Sequence, residues 1–251
     1  MKILLKQLLL VVFFVSSISC QTHDLKKAMV QFDQAFIPVL MATDEGNIYQ
    51  AKSGVFYLEF QWQKLNKKYG NLLAGNEDWQ ETFRRVNEWL GDAYFAIDNN
   101  NAELACNQLE HVKYELMELR RIQGIDYYLD DLFDFKLITD RITRIAHDDK
   151  LKLLEWKEYA DLVKATQVSW RIIKSKPVDF QVYELNKEKV LLLRKYQNNM
   201  STILDDLVMS LDSADQAAVA KQTQALDPAM RQLIRLFGNF EEDRTYFAQG
   251  S

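Results

Sequence analysis

The chain has 251 residues, with 31 Lys and Arg against 36 Asp and Glu, a formal charge of −5, and only eight glycines, three prolines and two cysteines. That balance argues against nucleic acid as a partner, because phosphate backbones demand basic stripes and cationic runs such as Lys67-Lys68 and Arg120-Arg121 are short. The scarcity of chain breakers points to helices, and two cysteines are too few for a disulfide framework.

The first element is a leader. Lys2 and Lys6 precede an apolar run from Leu8 to Val15, then come Ser16, Ser17, Ile18 and Ser19, and then Cys20. A charged start, a short apolar core and small residues before a cut site make an export signal, and the core is too short to span a bilayer permanently. Ser17-Ile18-Ser19-Cys20 resembles the lipobox of bacterial lipoproteins. The resemblance covers the leader alone, and position 17 departs from it, since the pattern usually has Leu three residues before the cysteine. It implies removal of residues 1–19, a diacylated Cys20 as the new N-terminus, and tethering to a membrane. Gln21 in place of Asp leans, by analogy, toward the outer membrane with the protein facing the periplasm. Loss of Lys2 and Lys6 takes the formal charge of the remainder to −7, and lipidation of Cys20 would leave Cys106 without a disulfide partner.

Beyond the leader, apolar residues recur with a 3.6-residue period in eight stretches. In chain order they run through Leu25, Phe32 and Val39; Leu58, Trp62, Leu65 and Tyr69; Trp79, Phe83, Val86, Leu90, Ala93 and Ile97; and Leu109, Val112, Leu116 and Leu119. The second set runs through Ile125, Tyr128, Leu132, Phe135, Thr139, Ile142 and Ala146; Tyr159, Val163, Thr166, Trp170 and Ile173; Leu193, Tyr196, Met200, Leu204, Leu207 and Leu211; and Leu226, Ala229, Leu233 and Leu236. Turn-like segments separate them: Asp44 to Asn47, Gly70 to Asn76, Asp98 to Asn101, Gln123-Gly124, His147 to Asp149 and Lys176-Pro177, with Ser213 and Gln216 spaced as a capping box. Pro38 and Pro228 should each kink a helix or mark its edge.

Short connections imply antiparallel neighbours, so the expected fold is all-α: two tandem up-down four-helix bundles, residues 20–123 and 124–251. Trp62 and Trp170 fall on the second helix of their sets, and Leu109 to Leu119 parallels Leu226 to Leu236. Either an internal duplication or the chance agreement of any two amphipathic helices accounts for this.

Candidate chemistry is sparse. With only His23, His111 and His147, the paired Glu-x-x-His motif of di-iron bundles is absent, as are attached-haem, zinc-protease, nucleophile-elbow and phosphate-loop patterns. His111 with Glu115 one turn on, helped by Glu118, is the remaining metal idea, and Met29 or Met41 with His111 the remaining haem idea, with His111 expected near the level of Asp33. Asp126, Asp130, Asp131 and Asp134 read as a solvated helix face. Phe56 and Phe60 lie opposite the stripe through Trp62, and Trp89 lies off the main stripe of its helix. Such two-faced helices need a second apolar partner, either the other half of the protein or a groove occupant.

The expectation is therefore a non-catalytic, membrane-tethered helical lipoprotein with no cofactor. It would serve as a binding or accessory scaffold for another envelope protein or a small apolar ligand, through Phe56, Phe60 and Trp89. The alternative is a haem- or metal-binding redox bundle using His111 and Glu115.

Overall fold

The computed structural model describes residues 2–73, 75–147, 156–213 and 215–240, with side chains from residue 23 onward. Among these the protein is all-α, with nine helices: α1 (Lys2–Asp44), α2 (Ile48–Tyr69), α3 (Glu77–Asp98), α4 (Ala102–Ile122), α5 (Tyr128–His147), α6 (Trp156–Ser175), α7 (Lys187–Asp212), α8 (Gln216–Thr223) and α9 (Leu226–Arg235). The chain divides into two compact units. The first runs to Asp126 and takes back Asn239 and Phe240, and the second is Tyr127–Gly238. The break expected after His147 lies largely outside the described residues.

Local chemistry sets the helix ends. Asn47, Asn76, Asn101, Asn186 and Asp215 each accept a hydrogen bond from the backbone N–H three residues on, which satisfies one of the orphan donors of α2, α3, α4, α7 and α8. The expected capping box at Ser213 is not used: Ser213 closes α7, and Asp215 opens α8. At their C-termini α1 and α4 end on left-handed glycines, Gly46 and Gly124 (φ 71° and 64°), and α3 ends on a left-handed asparagine, Asn100 (φ 59°). At each, the following N–H reaches back five residues, to Ala42, Arg120 and Ala96 respectively.

Cross-helix contacts fix the first unit as antiparallel neighbours. Lys64 Nζ donates to Gln31 on α1; Lys52 Nζ reaches Asn100 while Trp62 Nε1 donates to Asn87; and Arg85 pairs with Glu115 on α4. Each pairing matches a later residue on one helix with an earlier one on the other. The ring closes where Arg120 on α4 meets Asp33 on α1 at 3.8 Å. An aromatic run threads the core from Phe36 through Phe32, Trp62 and Phe83 to Trp79, with successive ring centroids 5.2–5.7 Å apart.

Gly54 and Pro38 show how closely α1 and α2 approach. A Cβ added at Gly54 would lie 2.7 Å from Cγ2 of Val39, a side chain with no solvent exposure. Gly54→Ala is therefore expected to destabilise the first unit by about 1–3 kcal/mol, outweighing the helix-propensity gain of about 1 kcal/mol. Gly91→Ala in α3, where nothing lies within 4 Å, should keep that gain. Urea unfolding midpoints of the two variants check this, and a stabilised Gly54→Ala would disprove the close approach.

Pro38 sits inside α1 without ending it. Having no N–H, it cannot bond to the carbonyl of Gln34, and that oxygen instead accepts the backbone N–H of Asn239 at 2.8 Å. Phe240 follows, 2% exposed, beside Gly54 and Tyr57. Pro228 falls in the first turn of α9, where a missing N–H costs nothing.

In the second unit α5, α6 and α7 are again antiparallel neighbours. Tyr159 donates to the carbonyl of Ile142, Phe135 packs on Trp170, and Lys164, Gln167 and Trp170 meet Asp212, Asp205 and Ser201 in descending order. The fourth position departs from the expectation of one helix, because α8 and α9 both pack against α5 and α7. Lys136 ties α5 to Asp227 of α9. The link between α6 and α7 also carries core: Val182, Tyr183 and Leu185 are buried, and the Tyr183 hydroxyl accepts the Tyr128 N–H at the start of α5.

The two units repeat one internal arrangement. Trp62 on α2 touches Phe32 on α1 and donates to Asn87 on α3, and Trp170 on α6 touches Phe135 on α5 and donates to Ser201 on α7.

Candidate functional site

Phe56 (81% exposed) and Phe60 (55%) stand on the side of α2 away from the buried line of Leu58, Trp62 and Leu65. Tyr49, at 85%, extends that face, and Phe95, at 71%, stands exposed on α3. Trp89 does not join them. It lies in the seam between α3 and α4, stacked on His111 with ring centroids 4.4 Å apart. The three aromatics expected to share one groove thus occupy two separate places in the first unit: an outer aromatic face and a helix–helix seam.

The metal and haem ideas meet the same geometry. Glu115 is held by Arg85 at 2.9 Å, Glu118 by Arg121 at 2.7 Å, and the His111 ring lies against Trp89 rather than toward either acid's partner. Met29 and Met41 are buried in α1 whereas His111 is exposed. Cys106 lies against Thr43 and Arg120 against Asp33, which places His111 nearer the level of Val39 than that of Asp33. No group of three or more His, Cys, Asp or Glu among the described residues is placed to hold a metal ion. Of the acidic row, Asp126 precedes α5 rather than lying on it, and Asp131 is paired with Lys176 at 2.7 Å.

Cys106 is partly buried. Burial pushes its thiol up, and the nearby carboxylates of Asp44 and Glu110 push the same way, against a hydrogen bond with Thr43 and the charge of Lys113. Such a thiol stays protonated at neutral pH and is a poor nucleophile. The backbone of α1 passes through Cys20, whose side chain lies outside the described residues. Among the described residues, no helix is long and apolar enough to cross a membrane.

The second unit holds a cleft that the apolar periodicity did not reveal. It has a volume of about 470 Å³, lies between α6 and α7, and is lined by Gln167, Trp170, Arg171, Lys174, Ser201 and Asp205, with Ser175 at its edge. The Trp170 indole N–H and Lys174 Nζ both donate to Ser201 Oγ, at 3.0 and 3.1 Å, and that hydroxyl donates to the Gln197 carbonyl. Gln167 Nε2 donates to Asp205 Oδ1 at 2.6 Å. The only signal for this cleft in the sequence is the polar spacing Gln167, Arg171, Lys174, one turn apart beside the apolar stripe.

No family model, curated protein or solved structure matches this chain.

Proposed function

We propose that this protein is a membrane-tethered, non-catalytic lipoprotein that acts as a helical binding or accessory scaffold in a bacterial cell envelope, held in the outer membrane and facing the periplasm. The lipobox-like Ser17-Ile18-Ser19-Cys20 after an apolar run carries the reading. The all-α units support it by offering rigid faces, among them the exposed aromatic face of α2 with Tyr49, Phe56 and Phe60, suited to another envelope protein or a small apolar ligand. The arrangement of His111, Glu115 and Cys106 gives no support to a redox or nucleophilic alternative.

Metabolic labelling with an alkyne fatty acid in a bacterial host tests the tether. The intact chain should incorporate label and sediment with membranes, whereas Cys20→Ser should lose the label and the membrane association. An unlabelled parent chain, or a labelled Cys20→Ser variant, would remove the reading.

The aromatic face has its own test. Phe56→Ser and Phe60→Ser should each change stability by no more than about 0.5 kcal/mol in thermal unfolding, because both side chains already meet water. Together they should abolish in-cell crosslinks to an envelope partner. A large loss of stability in both would make them core instead.

A further inference from the structure

The cleft between α6 and α7 has an uneven distribution of charge. Arg171 makes no ion pair or hydrogen bond through its side chain among the described residues, and Lys174 is engaged only by the neutral Ser201 hydroxyl. On the same helices or next to them, Lys164 is paired with Asp212, Lys176 with Asp131, and Lys136 with Asp140 and Asp227. Two cations without acids, side by side at the rim of a cavity, favour an anion. Asp205 at the level of Gln167 opposes a simple one, because its carboxylate would repel any purely anionic occupant nearby.

A ligand with both charges resolves the conflict. Along α6 the rise of about 1.5 Å per residue sets Arg171 about 6 Å and Lys174 about 10 Å beyond the Gln167–Asp205 pair. An extended peptide advances about 3.3–3.6 Å per residue, so the terminal ammonium and carboxylate of a di- or tripeptide span the same distance. The cavity volume falls within the range of small-ligand sites.

We propose that this cleft binds a short zwitterionic peptide of two or three residues by its two ends, the carboxylate on Arg171 and Lys174 and the ammonium on Asp205. Ser201 holds the Lys174 ammonium in place before the ligand arrives, and the guanidinium of Arg171 supplies a planar fork matched to a carboxylate. Gln167 occupies one oxygen of Asp205 and leaves the other for the peptide's N-terminus. Nothing in this assignment depends on lipidation of Cys20.

Isothermal titration of trialanine into the detergent-purified full chain tests the assignment. Saturable one-to-one binding is expected, weakened about tenfold or more by Arg171→Gln, by Asp205→Asn, and by trialanine blocked at either end, each of which removes one charge-assisted contact. Both side chains are exposed, so the variants should unfold at the parent's midpoint, which separates lost binding from lost fold. Absence of saturable heat, parent-like binding by Arg171→Gln, or equal binding of N-acetylated trialanine would each overturn the proposal.

Discussion

Replacing Trp170 by alanine should destabilise the second unit by about 3–5 kcal/mol, the range for deleting a fully buried indole. Trp170 is 1% exposed, its ring sits 5.0 Å from that of Phe135, and its N–H is committed to Ser201. Alanine would leave a void between α5, α6 and α7. Phenylalanine should recover most of the packing and lose chiefly the hydrogen bond, so Trp170→Phe should cost about 1–2 kcal/mol. Trp156 provides the contrast. It is half-buried and touches Tyr159 at a longer 6.4 Å, so Trp156→Ala should cost well under half as much. Chemical unfolding of the three variants gives the order directly, and a Trp170→Ala loss below about 1 kcal/mol would show that the unit is not built around this residue.

In the first unit the largest expected effect is electrostatic. Asp33 is 4% exposed and Arg120 2%, and they face each other across α1 and α4. Asp33→Asn removes a buried negative charge that faces the buried guanidinium, which should cost about 3–5 kcal/mol. Replacing both, as Asp33→Leu with Arg120→Met, removes the desolvation of two charges as well as their attraction. The double variant should therefore fall within about 1 kcal/mol of the parent, or exceed its stability. The double-mutant cycle is the measurement, and a silent Asp33→Asn would mean that the pair contributes no net stability.

The apolar stripes made the long helices legible because their period coincides with burial. Every member of the run Trp79, Phe83, Val86, Leu90, Ala93 and Ile97 is buried, and even Thr139 and Thr166, polar by name, lie inside as their spacing requires. Arg120 was hidden by its own chemistry. Its position continues the face of Leu116 and Leu119, yet beside Arg121 it reads as part of a solvated pair. The short α8 escaped because three of its eight residues are alanines and only Val219 and Thr223 are buried. Tyr183 escaped because it packs from a connection that has no period to detect. Of the candidate sites, the exposure of Phe56 and Phe60 followed from helical angle alone. The separation of Trp89 from them depended on which side of α3 faces α4, a choice that one helix viewed alone does not make. The α6/α7 cleft required the register between two helices, which brings Asp205 to Gln167 and Ser201 to Trp170.

The bond from Asn239 to Gln34 has a consequence for the order of events in a chain made from its N-terminus. All four helices of the first unit emerge early, but the donor that satisfies the carbonyl freed by Pro38, and the Phe240 ring beside it, arrive only after the whole of Tyr127–Gly238 has been synthesised. Until then the first unit lacks the Asn239 N–H that meets the Gln34 carbonyl and the Phe240 ring that lies beside Gly54 and Tyr57. Contacts between residues so far apart in sequence form late and slowly, because a long loop must close before they give any return. The unit translated first is thus completed only by residues translated after the second unit.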